Sequence, residues 1–284
     1  IPDLELKMGY SCVPKDNLSR LTRLSRTVSE IANLSPDNHV AYVGKSAFAH
    51  KGGIHVAAIR RNVDSYQHID PERVGNEMRV LVSDLSGRGN LLSKAEEFGL
   101  DVSSQEAMQV LQEIKDLENQ GFVFEGAEAS VAIRMHRARA DYKPIFTLID
   151  FKVFVEDYRN RGAISEAMVK IDIDGDVVHT AAEGNGPVNA LDLALRKALL
   201  PTYPQLADFQ LADYKVRILD GTNGTAATTR VLIDTHSHTQ RWSTVGADTN
   251  IIHASWRALM DSVEYGLCLM DVAESDSTTL VAGD

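Results

Sequence analysis

Two histidines flank a pair of glycines in the densest cluster of chemically capable residues in this 284-residue sequence. His50 and His55 lie on either side of Gly52-Gly53, where the missing side chains let the backbone approach a neighbour or a ligand closely. Imidazole exchanges a proton near neutral pH, so this spacing suits general acid or base chemistry. The residues alone also allow a second interpretation, in which both imidazoles form hydrogen bonds within a packed loop.

A second candidate site is the turn between a predicted strand and a predicted helix. It comprises Gly184, Asn185, Gly186, Pro187 and Asn189. Free N–H groups and the helix dipole at such a position can bind a carboxylate. The same residues also fit an ordinary strand-to-helix turn with proline in the first helical turn, and the single Gly-X-Gly is weak evidence for a nucleotide.

His236 and His238 alternate along a predicted strand, so both side chains share one face and two-point metal ligation is sterically feasible. A solvated strand face is the preferred interpretation. We therefore assign no metal ligand and no cofactor within this chain.

The elements that must position these residues follow from periodicity and turn signals. Helices are predicted near 16–33, 57–61, from 91, 103–121, 127–137, 188–199 and 252–263, where apolar residues recur every three or four positions. Ser103 and Glu106 form a capping-box pattern at the start of one of them. Strands are predicted at 80–82, 167–173, 176–182, 214–219 and 229–235.

The pattern changes after Pro144 from mainly helical to alternating strands. This predicts a first domain at 1–145 and a second at 146–270. The acidic, Ser/Thr-rich residues 271–284 are predicted to be a disordered tail.

The second domain contains a faint internal repeat. Placing Thr180 on Thr244 also superposes Ala190 on Ala254 and Ala194 on Ala258 at one constant offset. The predicted fold class is therefore α+β: helical and mixed subdomains, followed by a domain of two duplicated strand-helix units whose helices cover one face of a sheet.

Composition restricts the class of protein. Forty acidic and 29 basic side chains give a formal net charge of −11, which opposes general binding to nucleic acid or anionic lipid. Cys12 and Cys268 cannot form a disulfide framework, which favours a cytoplasmic location. No apolar run approaches the roughly 20 residues that span a membrane, and the missing initiator Met indicates a fragment.

Four ordered segments resemble the isopropylmalate, homocitrate and citramalate synthase family. Residues 4–10 resemble the exit from the family's catalytic barrel, 44–55 together with 66–77 the segment that follows it, 83–90 its accessory subdomain and 165–268 its regulatory domain. The continuation of Gly-Ile-His by Val56-Ala57 resembles the citramalate group.

The resemblance implies an acyltransferase that condenses acetyl-CoA with pyruvate in a barrel absent from this chain, where a divalent metal is expected. It implies a homodimer in which the accessory segment enters the partner's active site, with His55 and Tyr66 as catalytic residues. An imidazole would move the acetyl methyl proton, and a phenol would hydrogen-bond the enolate oxygen. We expect the isolated chain to be inactive.

The resemblance also implies isoleucine as an allosteric effector. The turn at 184–189 would bind its carboxylate, small residues at Thr225 and Ala226 would leave room for its side chain, and Asp220 or Asp248 would pair with its ammonium group. Two alternatives stay open: an isopropylmalate or homocitrate synthase part, or a free-standing amino-acid sensor or dimerisation module.

Overall fold

The computed structural model describes residues 1–14, 16–34, 36–84, 86–158, 162–238 and 240–280, with side chains described through residue 268. The chain forms two compact units, the first at Ile1–Glu97 and the second from Phe98 onwards. The domain boundary predicted at residue 145 therefore falls inside the second unit.

The first unit is built from short elements. These are α1 (Pro2–Leu6), α2 (Leu21–Ile31), β1 (Ala49–His50), α3 (Gly53–Arg61), β2 (Arg79–Val80) and α4 (Arg88–Glu97), with 3-10 turns at Asn17–Arg20, Val63–Ser65 and Pro71–Val74. β1 and β2 pair in parallel, with His50 opposite Val80. The Thr22 hydroxyl donates to the Val74 carbonyl oxygen at 2.8 Å, which ties α2 to the last of these turns.

The apolar stripe of α2 is largely exposed within this chain. The predicted helix is confirmed, but Leu24, Val28 and Ile31 are 57%, 56% and 82% exposed, whereas Leu18 in the preceding turn is buried. Apolar spacing thus predicts the helix without predicting what covers its face.

The second unit is mixed α/β. Its elements are α5 (Ser104–Asn119), α6 (Glu128–Arg137), β3 (Thr147–Tyr158), β4 (Gly162–Ile173), β5 (Asp176–Gly184), α7 (Pro187–Leu199), β6 (Gln210–Ile218), β7 (Thr229–His236), β8 (Arg241–Asp248) and α8 (Ile251–Leu280), with 3-10 turns at Pro204–Asp208 and Gly221–Ala226. The capping box of Ser103 and Glu106 is present at the start of α5.

The strands form two antiparallel sheets, β3-β4-β5 and β6-β7-β8, in place of the single sheet that the sequence predicted. Strands β3 and β8 were not predicted. Trp242, Val245 and Ala247 of β8 are buried. Burial does not alternate strictly along this strand, because both α6 and α8 contact it.

Helix α7 covers the first of these sheets with the face that its spacing predicts. Leu191, Leu195 and Leu199 are fully buried and share a core with Val169 and Ile171 of β4. Burial of each such side chain contributes about 1.5–3 kcal/mol, so this core is a main source of the unit's stability.

A buried ionic network ties α6 to α8. The Arg134 guanidinium donates to the Asp261 carboxylate at 3.0 Å, Arg137 donates to the same carboxylate at 2.8 Å, and Ser130 donates to it at 2.7 Å. Arg137 also pairs with Glu264. Because these contacts join residues far apart in sequence, they hold α6 within the second unit.

The predicted disordered tail differs from the structure at its start. α8 continues past Asp271 to Leu280, and neither Gly nor Pro interrupts residues 271–280. The remaining tail residues, 281–284, lie outside the described residues. None of the described helices is both long and apolar enough to cross a membrane.

Candidate functional site

Helix α3 presents His55 at the surface of the first unit. Gly52 is its N-cap, with no side-chain hydrogen bond to the helix, and His55 lies in the first turn. Val56 and Ile59 of the same helix are 2% and 4% exposed and anchor it on the first unit, whereas the His55 side chain is exposed.

The structure brings His55 and Tyr66 together. Their rings stack with centroids 4.3 Å apart and planes inclined by 25°. The chain reverses between them at the 3-10 turn Val63–Ser65, where the Asn62 side-chain oxygen Oδ1 accepts a hydrogen bond from the Asp64 N–H at 3.1 Å. Both side chains are exposed, so an imidazole and a phenol are presented side by side to whatever occupies this surface.

His50 lies deeper than His55. Its Nε2 atom is buried and has no hydrogen-bond partner, while its carbonyl oxygen accepts the Leu81 N–H at 2.9 Å. Burial, and to a smaller extent the charge of His55, lowers the pKa of His50 below the usual value. The packed-loop interpretation therefore does not hold for the Nε2 atom of His50, and a neutral ring is favoured.

Within the described part of the chain, no group of three or more His, Cys, Asp or Glu side chains is arranged to hold a metal ion. His238 is exposed and lies 3.4 Å from the Asp208 carboxylate.

The turn between β5 and α7 is open at one glycine and tightly packed at another. Gly186 is the N-cap of α7 with an extended backbone, and a Cβ atom there would meet nothing within 4 Å. A Cβ atom on Gly184 would lie 2.4 Å from the Ala190 backbone nitrogen. The Asn189 side chain accepts the Asn185 N–H at 3.0 Å, and Pro187 begins the helix.

Both aspartates predicted to bind an ammonium group already have partners within their own segments. Asp220 accepts hydrogen bonds from the backbone and hydroxyl of Thr222, and that hydroxyl in particular lowers the pKa of Asp220. Asp248 accepts the Asn250 N–H at 2.9 Å and lies 3.3 Å from Arg257.

The remaining two predicted effector contacts, Thr225 and Ala226, are exposed in the 3-10 turn Gly221–Ala226. These groups lie on the β6–β7 connection, whereas Gly184 to Asn189 lie between β5 and α7. A single effector pocket made from all of them stays a prediction.

Comparison with known families identifies the second unit. The profile of the LeuA allosteric (dimerisation) domain matches residues 125–267. The chain belongs to this LeuA family. Ahead of the LeuA domain, residues 42–121 match the family described as homocitrate synthase post-HMGL domain-like, and these residues include the His55–Tyr66 pair.

Similar proteins cover almost all of this chain. The (R)-citramalate synthase of Geobacter sulfurreducens is 53% identical over 270 residues, which are 94% of this chain and 51% of that protein. The enzymes of the same name from Synechocystis and Aquifex aeolicus are 50% and 45% identical over 95% and 94% of this chain, and 50% and 51% of those proteins. The chain thus spans about half the length of these curated relatives.

The burial of Asn90 at the start of α4 is not predicted by the sequence. A helix is predicted to start near Leu91, whereas α4 begins at Arg88. Asn90 is fully buried inside it. The available signal was the pair of polar side chains Ser86 and Asn90 at the start of a predicted helix.

Proposed function

We propose that this chain is the accessory and regulatory part of an acyltransferase that condenses acetyl-CoA with pyruvate to citramalate, on the route to isoleucine. The stacking of His55 on Tyr66 at 4.3 Å carries the proposal, because it places a proton-transfer group beside a hydrogen-bond donor on one exposed surface. The names of the relatives support the reaction. The complete activity belongs to a longer protein that contains the acetyl-CoA cleft and the metal.

In the proposed reaction, His55 accepts a proton from the acetyl methyl group and Tyr66 donates a hydrogen bond to the developing enolate oxygen. The enolate carbon then attacks the oxo carbon of pyruvate, whose oxygen takes up a proton as the C–C bond forms. Water hydrolyses the resulting thioester, which releases citramalate and CoA. Stabilisation of the oxyanion by a pre-positioned donor is worth most in a cleft that excludes water. The exposure of both side chains in this chain is consistent with a cleft completed by a catalytic barrel of the partner subunit.

Substitution in the full-length enzyme tests this role. His55→Ala is expected to lower kcat about 100- to 10,000-fold, the usual contribution of a general acid or base, and Tyr66→Phe is expected to lower it less. Because these groups act mainly in the transition state, KM should change little. The measurement is CoA release with pyruvate and acetyl-CoA. Near-parental kcat in both variants, with unchanged thermal unfolding, would remove this pair from the reaction.

We further propose that isoleucine binds the second unit at the turn Gly184 to Asn189 and inhibits the enzyme. Gly186 supports this location because its Cβ direction is open and the N-terminus of α7 has no side-chain cap. Backbone N–H groups at such a position can bind a carboxylate. Asp220 and Asp248 accept hydrogen bonds from their neighbours, and a carboxylate has further acceptor positions for an ammonium group.

Gly186→Val separates effector binding from folding. The valine side chain would enter open space, so we expect unchanged thermal unfolding and an unchanged kcat without isoleucine, but loss of isoleucine inhibition.

Calorimetry on this chain should show tighter binding of isoleucine than of leucine or valine. If no branched-chain amino acid binds at millimolar concentration, this effector assignment is wrong.

We also propose that the second unit arose by internal duplication of a three-strand-plus-helix segment. The Thr180 hydroxyl donates to the Ala194 carbonyl oxygen at 2.7 Å, and the Thr244 hydroxyl donates to the Ala258 carbonyl oxygen at 2.8 Å. The two hydrogen bonds are related by the constant offset seen in the sequence. Each ties the last strand of a sheet to the helix that follows it, which supports equivalence of β3-β4-β5-α7 and β6-β7-β8-α8.

The substrate alternative is a different 2-oxo acid. The family description of residues 42–121 refers to homocitrate synthase, so homocitrate or isopropylmalate synthesis is the second candidate. Steady-state comparison of pyruvate, 2-oxoglutarate and 2-oxoisovalerate on the full-length enzyme distinguishes them. The citramalate proposal requires the highest kcat/KM for pyruvate.

A further inference from the structure

A buried polar cluster lies beneath the start of α3. Asn90 is 0% exposed, and Ser86 is 4% exposed. The Asn90 side-chain nitrogen donates to the Lys51 carbonyl oxygen at 2.9 Å and lies 3.4 Å from the Leu81 carbonyl oxygen. The Ser86 hydroxyl reaches the Lys51 carbonyl oxygen at 3.3 Å and accepts the Ser83 N–H at 2.9 Å.

These contacts hold the residue immediately before the N-cap of α3. The Lys51 carbonyl lies ahead of the helix and cannot join its hydrogen-bond ladder, so it needs a partner from elsewhere. A Cβ atom on Gly53 would lie 3.2 Å from the Gly87 backbone nitrogen. The first turn of α3 therefore rests directly on the backbone that leads into α4.

His55 depends on this arrangement because it lies in that first turn. Gly52 provides no side-chain cap, and two adjacent glycines leave the backbone more conformational freedom than other residues do. Helix ends without stabilising contacts open more readily than helix interiors. The hydrogen bonds from Asn90 and Ser86 to the Lys51 carbonyl oxygen stabilise the start of α3 against such opening.

We propose that Asn90, assisted by Ser86, is a positioning residue that holds His55 against Tyr66. It acts through the Lys51 carbonyl and touches neither ring. The catalytic consequence rests on the proposed function, whereas the orientation of His55 does not.

The orientation is tested on this chain by NMR, without any activity measurement. Stacking at 4.3 Å should displace the His55 ring proton resonances through the Tyr66 ring current. Because leucine has no ring current, the change in these resonances in Tyr66→Leu measures that displacement. Asn90→Ala is expected to move these resonances most of the way to their Tyr66→Leu positions. Unchanged resonances would overturn the proposal.

Asn76→Ala is the matched control. Asn76 is also buried in the first unit, and its side-chain nitrogen donates to the carbonyl oxygens of Tyr42 and Gly44 at 2.9 and 3.0 Å. The Asn76→Ala substitution therefore removes a similar buried amide, but one that makes no hydrogen bond to the Lys51 carbonyl oxygen. The His55 resonances should stay at their parental positions, and an equal displacement in this variant would overturn the proposal by showing general loosening of the unit.

Ser86→Ala decides the question if Asn90→Ala does not fold. It removes one hydroxyl and keeps the amide, so we expect a smaller displacement of the His55 resonances in the same direction. Parental resonances in folded Ser86→Ala would then contradict the proposal.

In the full-length enzyme, Asn90→Ala should lower kcat about 10- to 100-fold with little change in KM, because misplacement of a catalytic group by about 1 Å has an effect of this order. Asn76→Ala should keep kcat near the parental value. Full activity of His55→Ala would reject the proposed function. The positioning role would then be tested by the NMR measurement alone. An active His55-dependent enzyme whose kcat is unaffected by Asn90→Ala would reject the positioning role itself.

Discussion

The two histidines of the first unit that flank Gly52 and Gly53 differ in their exposure to water. His50 and His55 are close in sequence, yet the Nε2 atom of His50 is buried without a partner whereas His55 is exposed and stacked on Tyr66. A buried imidazole resists protonation because its charged form loses hydration. Burial therefore lowers the pKa of His50 and favours its neutral form.

An NMR titration of the histidine ring protons tests this difference. The His50 resonances should titrate with a pKa below 6.5, because burial and then His55 lower it. His55→Ala should raise the His50 midpoint only partly, since burial is the larger cause. Because the folded-state pKa is lowered, the contribution of His50 to stability is present above about pH 6.5 and lost as the pH falls through the folded-state pKa. A His50 midpoint at or above 6.5 would contradict this account.

Among the elements, α6 and α8 form the most strongly ionic contact in the second unit. Arg134 is 8% exposed and Asp261 is 5% exposed in their side chains, so water screens their attraction poorly. Paired charges at this depth are costly to separate, because removal of one leaves the other buried without compensation. This network fixes α6 on the helix that ends the second strand-helix segment.

Asp261→Ala should therefore destabilise the second unit by about 3–5 kcal/mol, the usual cost of breaking a buried ion pair. Urea unfolding followed by circular dichroism measures it. The control is Asp141→Ala, whose partner Arg139 lies 2.7 Å away but whose own side chain is 70% exposed; we expect a change of about 0–1 kcal/mol. Equal effects of both variants would show that the α6–α8 network is not a major source of stability.

At the scale of the whole molecule, the family description and the exposed apolar side chains both favour self-association. The LeuA family is described as a dimerisation domain. Phe154 and Val155 on β3 and Ile218 on β6 are 47%, 59% and 61% exposed, and both strands are at the edges of their sheets. Exposed apolar side chains on edge strands are typical of surfaces that associate.

The chain is therefore predicted to be a homodimer in solution at micromolar concentration. Sedimentation velocity over a dilution series measures the mass of the species present. Apolar burial between copies supplies the driving force, so raised salt should weaken association only slightly. A species of monomer mass throughout the series would contradict the prediction.

Local sequence patterns determined much of the secondary structure. The three-to-four-residue spacing predicted α5, α6 and α7, and alternation predicted β4, β5 and β7, because both patterns arise from side-chain direction along a single element. The capping box at Ser103 is equally local and was predicted from two residues. Motif resemblance, and not periodicity, led to His55 and Tyr66.

Tertiary structure decided what no local pattern encodes. The division into two sheets, the burial of Asn90 and the membership of α6 in the second unit each depend on contacts between residues distant in sequence. So does the stacking of His55 on Tyr66, since the intervening chain has to reverse direction for the two rings to meet. The free energy of such contacts depends on which surfaces exclude water together, and that is defined only once the elements have packed.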